Sequence, residues 1–135
     1  MIVKSQSEKE TRELGRRLAK TVKNGLICIY GELGAGKTTL VRGIARAIGI
    51  RSKIQSPTFT YQRIHRGKRA LYHFDCYRLE KPDTAIINEI IQALENGDGL
   101  VAVEWPERLE KFLPKERTNV YIENIGEGKR KFRFL

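Results

Sequence analysis

Apolar residues recur along the chain with two periods, and short breaks rich in glycine, proline or polar residues divide it into elements. Leu14, Leu18 and Val22 repeat at four-residue spacing with Thr11 and Ala19 beside them, which predicts a one-sided helix to about Val22. Its start fits a capping box from Ser7 with Glu10 or equally from Ser5 with Glu8, and Asn24-Gly25 ends it. Leu26-Ile27-Cys28-Ile29-Tyr30 has the length and β-branched content of a buried strand. From Thr38 to Ile48 the apolar positions Leu40, Val41, Ile44, Ala47 and Ile48 describe a second helix, stopped by Gly49. Strand-like alternation from Phe59 to His65, a turn at Gly67 and the run Ala70 to Asp75 predict an antiparallel hairpin over 59–74. Its basic tip, Arg66-Gly67-Lys68-Arg69, is expected to project into solvent. Pro82 to Glu95 reads as a third helix opened by Pro82, with apolar positions at Ile86, Ile87, Ile90, Ile91 and Leu94. Leu100 to Val103 is a strand ending at Glu104, Pro106 to Phe112 a short helix, and Val120–Ile122 with Lys131–Phe134 a terminal hairpin around Gly126 and Gly128.

Between the first strand and the second helix stands Gly31-Glu32-Leu33-Gly34-Ala35-Gly36-Lys37-Thr38, the pattern Gly-x4-Gly-Lys-Thr. Strand, glycine loop and helix is the context this motif needs. The glycines let the backbone curl so that N–H groups converge on phosphate oxygens, and the helix N-terminus adds partial positive charge. Leu33, Gly34, Ala35, Gly36, Lys37, Thr38 and Thr39 are therefore candidate nucleotide-binding residues. Lys37 reaches the outer phosphates, and the Thr38 hydroxyl takes a position on magnesium. Together with the hairpin, whose turn is too short for a parallel crossover, this predicts an α/β, P-loop NTPase-like three-layer sandwich with a mixed central sheet. Residues 1–135 are expected to form a single domain with little room for a separate lid.

Composition adds one surface and removes one compartment. The net charge is +10, and from Leu14 to Phe74 the only acid is Glu32 against thirteen Lys and Arg, whereas Asp75 to Leu135 holds twelve acids and ten bases. Thirteen cations exceed what one nucleotide needs, so an anionic second partner, a polyanion or an acidic protein face, is expected on the surface of residues 14–74. The first residues lack the apolar core of a signal peptide, and no apolar run is long enough to span a bilayer, so a soluble cytoplasmic protein without membrane contact is expected. Cys28 and Cys76 lack metal-ligand spacing and read as reduced and structural.

Two apolar strands end in a carboxylate, at Asp75 and at Glu104, and either acid could hold magnesium or poise the attacking water. Ser56-Pro57-Thr58-Phe59 offers a hydroxyl on an exposed connection, which suits a switch-like loop, although a plain turn is the favoured reading. His65 and His73 read as strand residues rather than zinc ligands.

Four segments taken together resemble the TsaE (YjeE) family: Gly-Glu-Leu-Gly-Ala-Gly-Lys-Thr-Thr at 31–39, Ser-Pro-Thr-Phe at 56–59, His-Phe-Asp-x-Tyr-Arg-Leu at 73–79 and Val-Glu-Trp-Pro-Glu-Arg-Leu at 103–109. The resemblance runs from about Ser5 to Leu135. It implies a slow ATPase needed for the threonylcarbamoyl-adenosine modification of tRNA and acting with TsaD and TsaB. Carried onto these positions, it implies that Lys37 binds phosphate, Thr38 and Glu104 hold magnesium, Asp75 supports hydrolysis, and Trp105 with the start of the first helix near Ser7 borders the adenine of ATP. One departure is that Ile86-Ile87-Asn88-Glu89-Ile90-Ile91 stands where the family usually carries a Leu-Gly-containing segment, which bears on partner contacts and on no nucleotide motif. A regulatory GTPase is disfavoured, because Asp75 is not followed by x-x-Gly and no Asn-Lys-x-Asp motif occurs. A small-metabolite kinase would carry the same phosphate loop and is the main alternative, although it needs a lid to exclude water.

Overall fold

The computed structural model describes residues 1–22, 25–32, 34–54 and 61–135. Its elements in order are β1 (Ile2–Ser5), α1 (Glu8–Thr21), β2 (Leu26–Tyr30), α2 (Lys37–Ala47), β3 (Gln62–Arg66), β4 (Ala70–Asp75), α3 (Thr84–Asn96), β5 (Gly99–Glu104), β6 (Arg117–Gly126) and β7 (Lys129–Phe134). One seven-stranded sheet runs in the order β1-β7-β6-β2-β5-β4-β3. The four inner strands β6, β2, β5 and β4 are mutually parallel, and the β3–β4, β6–β7 and β7–β1 pairs are antiparallel. This is the mixed α/β sheet expected from the order of the elements.

Side chains on a strand alternate between faces, and here the alternation builds two cores. Ile27, Ile29, Leu71, Leu100, Ala102, Val120 and Phe132 meet α1 and α2 on one face. Leu26, Cys28, Tyr72, Phe74, Val101 and Val103 meet α3 on the other, where Ile86, Ile90 and Ala93 supply the helix contacts. Within the glycine-free segment 86–91, Ile86 and Ile90 are the packing positions, while Asn88, Glu89 and Ile91 are exposed. On the first face α1 and α2 touch backbone to backbone. A Cβ on Gly43 would lie 2.0 Å from the Arg12 carbonyl oxygen, and one on Gly15 would lie 2.3 Å from that of Leu40, so only glycine permits the approach.

Local signals set most element ends. Ser7 rather than Ser5 caps α1, its Oγ accepting from the Glu10 amide at 3.2 Å, while the Ser5 hydroxyl is buried against Thr11 Oγ1 at 2.8 Å. The start of α3 corrects the expectation of Pro82 as its first residue: Asp83 is the cap, its Oδ1 accepting from Ala85 at 2.9 Å and Ile86 at 3.3 Å, so Pro82 lies outside the helix. Pro106 to Phe112 is not one short helix but two single 3-10 turns, Pro106–Arg108 and Glu110–Phe112, separated at Leu109. Apolar Leu109 is buried there, which interrupts the helical ladder.

Two further departures come from long-range pairing. The terminal hairpin extends well beyond Val120–Ile122, and β1, for which no local signal exists, completes the sheet by pairing Ile2 to Ser5 with Arg133 to Arg130. The hairpin tip does not simply project into solvent. Its backbone docks on the end of α2, where the Lys68 and Arg69 amides donate to the Ile48 carbonyl at 3.0 and 3.3 Å, while the side chains of Arg66 and Lys68 stay exposed.

Candidate nucleotide site at the carboxyl edge of the sheet

Parallel strands in an open α/β sheet end on a common edge, and ligands bind in the crevice outside their carboxyl ends. Here β2 runs into the glycine loop, with β4 and β5 ending beside it at Asp75 and Glu104, which are directly paired across the strands. A cavity of about 360 Å³ opens at that edge, lined by Gly34 to Thr39, Asp75, Tyr77, Glu104, Trp105, Glu8 and Arg130. Of the residues singled out in the sequence, Lys37, Thr38, Asp75, Glu104 and Trp105 therefore meet in one crevice. Leu33 and the segment Ser56-Pro57-Thr58-Phe59 lie outside the described residues.

The loop has the geometry of an anion cradle. Gly36 caps α2 in the left-handed region at φ 105° and Gly34 adopts φ 77°, conformations that cost glycine least. Because α2 starts at Lys37, the amides of its first turn have no partner within the helix and face the crevice with the positive end of the helix dipole. Lys37 is buried, and its Nζ donates to the carbonyls of Gly31 and, at 2.9 Å, Glu32. The ammonium also sits 4.5 Å from the centre of the Trp105 ring. Burial pushes the Lys37 pKa below the ordinary lysine value, partly offset by the carboxylates of Glu104, Asp75, Glu107 and Glu32. A buried cation ringed by carboxylates and carbonyls is suited to a polyanionic ligand.

Trp105 is held in an unusual conformation, φ 57° and ψ 49°, immediately after the strand that carries Glu104. A bulky residue in the left-handed region is strained, and such strain gathers at ligand-binding sites. The ring packs against Tyr77 at 4.9 Å between centroids. Tyr77 is itself placed by a turn in which its amide donates to Asp75 Oδ1 at 3.0 Å.

Two further residues stand at this site that the sequence does not place there. His73 was expected to be only a strand residue; it is one, yet its Nε2 lies 2.5 Å from Glu104 Oε2 with both side chains buried. The period of two was the available signal, since it puts Leu71, His73 and Asp75 on one face of β4 beside Ala102 and Glu104 of β5. Arg130 comes from β7 and lines the crevice beside Gly34 and Gly36, and no local pattern marks it. For a magnesium ion the donor set fits: a hydroxyl at Thr38 and the carboxylates of Glu104 and Asp75 are hard oxygen donors, and magnesium takes few protein ligands when phosphate oxygens supply others. Glu104 presents one oxygen to His73 and keeps the other for such a role.

A strand–glycine loop–helix unit at the edge of a largely parallel sheet, with a buried lysine and two strand-end carboxylates, defines a phosphate-loop α/β protein. Its family follows from comparison with known proteins. The family described as threonylcarbamoyl adenosine biosynthesis protein TsaE matches residues 5–132, and the chain belongs to it. The tRNA threonylcarbamoyladenosine biosynthesis protein TsaE of Nostoc sp. is 39% identical over 127 residues, covering 91% of this chain and 78% of its own. The protein of the same name from Treponema pallidum is 32% identical and is covered to 93%, as is this chain. The crystal structure of Bacillus subtilis YdiB superposes with a TM-score of 0.81 at 29% identity, covering 99% of this chain and 83% of that one.

Proposed function

We propose that the chain binds ATP with magnesium in the carboxyl-edge crevice and hydrolyses it slowly, in support of the threonylcarbamoyl-adenosine modification of tRNA carried out with TsaD and TsaB. The observation that carries this reading is the convergence of Lys37, Thr38, Asp75, Glu104 and Trp105 on one cavity beside the glycine loop. In it, the amides of Gly34 to Thr39 and the Lys37 ammonium bind the phosphates. Lys37 exchanges the carbonyls of Gly31 and Glu32 for phosphate oxygens, a neutral acceptor for a charged one. Thr38 and Glu104 hold the metal, which when bound supplies charge neutralisation at the phosphates. His73 fixes the Glu104 carboxylate from behind. Asp75, at the neighbouring strand end, orients the attacking water. Trp105 and the start of α1, whose Glu8 lines the cavity, border the base.

The reading of the partner rests on charge. From Arg42 to Arg69 the chain contains no acid, and the docking of the hairpin tip on the end of α2 brings Arg46, Arg66 and Lys68 to the sheet edge opposite the phosphate loop, where Asp98 pairs with Arg66 at 3.7 Å. We take this edge to face an acidic surface of TsaD or TsaB, with tRNA as the competing partner. Cytoplasmic location accords with such a role, and among the described residues no helix is long and apolar enough to cross a membrane.

One set of measurements tests the reading: ATP and GTP turnover with and without purified TsaD–TsaB and tRNA, for the parent chain and two variants. Glu104→Ala is expected to lose the magnesium dependence of ATP binding, and Asp75→Ala to keep tight binding and lose turnover. Turnover stimulated by a small metabolite rather than by TsaD–TsaB would instead favour a kinase, and a reversed pattern in the variants would exchange the two acids.

A further inference from the structure

Among the described residues the crevice holds two cations, Lys37 and Arg130, and only Lys37 belongs to the phosphate-loop motif. Arg130 arrives by topology. Because β6 runs parallel to β2, its far end and the turn into β7 lie at the same edge as the phosphate loop, and Arg130 is the second residue of β7. Its side chain lies across the loop: a Cβ on Gly36 would come within 3.3 Å of Nε and 3.8 Å of Cδ. The guanidinium donates to Asn124 Oδ1 at 3.3 Å, to the Lys129 carbonyl at 3.1 Å and to the Gly34 carbonyl at 3.4 Å. All three acceptors are neutral, the contacts to Asn124 and Gly34 are long, and among the described residues Arg130 makes no ion pair. A half-buried guanidinium is thus held against the phosphate loop by weak contacts that a charged oxygen would displace.

Building on the ATPase reading, we infer that Arg130 is a catalytic residue: an arginine supplied by the chain's own terminal hairpin that neutralises charge on the outer phosphates during hydrolysis. In that step water oxygen bonds to the γ-phosphorus and the bond from γ-phosphorus to the bridging oxygen breaks. The bonding pair stays on the β-phosphate of ADP, and the water proton leaves with phosphate or to solvent. Charge builds on the bridging and γ-oxygens, and a planar five-donor group reaching over Gly36 is placed to meet it, whereas the Lys37 ammonium is held at the start of the loop by the Gly31 and Glu32 carbonyls. The position also accounts for the asparagine: Asn124 is at the end of β6 and sets the guanidinium orientation through its side-chain oxygen.

The test compares the parent full-length chain with Arg130→Ala and Arg130→Lys, each checked for an unchanged melting temperature. Three readouts are taken with magnesium: ADP affinity, the tightening of ADP by aluminium fluoride, and ATP turnover at saturation with TsaD–TsaB present. The expected result for Arg130→Ala is ADP affinity within about threefold of the parent, loss of the aluminium fluoride tightening, and turnover lower by roughly a hundredfold, below the full range such arginines supply. Arg130→Lys should recover little, since a point charge lacks the fork. Equal losses of ADP and ATP affinity with turnover at saturation retained would make Arg130 a brace of the loop and overturn the inference. Turnover and tightening matching the parent would overturn it too. A parent chain that fails to bind magnesium–ATP defeats the nucleotide reading itself, whereas a parent that binds and hydrolyses ATP beside an unaffected Arg130→Ala defeats only the role of Arg130.

Discussion

The two faces of the central sheet bury comparable sets of side chains and do different things. Among the described residues, the buried lysine, histidine and carboxylate (Lys37, His73 and Glu104) all lie on the face covered by α1 and α2. The face under α3 is filled by aliphatic, aromatic and thiol side chains, including Cys28, Phe74, Cys76, Val103 and Ile90. The difference comes from strand parity. In β4 and β5, odd and even positions belong to different cores, so the residues ending on Asp75 and Glu104 share a side with the phosphate loop's helix. One face is thereby free to carry desolvated charge at a cost in stability, while the other supplies packing that contains none. A one-residue slip of β5 would exchange the two and abolish the site.

If the faces are separate, a cavity under α3 should destabilise without touching the ligand. Ile90→Ala, at a fully buried position, should cost about 2–5 kcal/mol of unfolding free energy, read by denaturant titration. The folded fraction should bind nucleotide with unchanged affinity; a parallel loss of affinity would mean that the faces are coupled.

The converse holds on the other face. Lys37→Ala should weaken magnesium–ATP binding at least a hundredfold, about 2.7 kcal/mol, by calorimetry. Its melting temperature should not fall, because the substitution removes a desolvated cation rather than a packing group. Trp105 is the only tryptophan and lies beside Lys37, so its fluorescence reports the same titration without a label. An undiminished affinity would reduce the glycine loop to a turn.

A third test concerns pH. Burial pushes the thiols of Cys28 and Cys76 up to about 12, from an ordinary value near 9. Folded chains then keep protons that unfolded chains release. The contribution is intact below about pH 9 and is lost as pH rises toward 12, by up to ~1.4 kcal/mol per pH unit for each thiol. Tyr30, also raised by burial on this face, acts in the same direction. Replacing both cysteines by alanine should make the alkaline decline in denaturant midpoint shallower. An equally steep decline would assign it to groups other than the two thiols.

Much of this protein was decided by its sequence alone, wherever the physics is local. A strand of five apolar residues, a glycine loop and a helix starting at the lysine are specified within about twenty consecutive residues by hydrophobic period and backbone freedom. The same holds for a serine cap on the first helix, which Ser5 and Ser7 fit equally until the fold selects Ser7, for the β3–β4 hairpin and for the two strands that end in carboxylates. Tertiary structure decided what those pieces meet. No local pattern brings Ile2–Ser5 to β7, since the edge strand exists only through its partner more than a hundred residues away. His73 finds Glu104 only once β4 and β5 are paired in register, and Arg130 reaches the phosphate loop only because β6 runs parallel to β2. Period and turn chemistry act over a few residues, whereas strand order and register are settled by burying all the apolar faces at once, and it is the register that assembles the site.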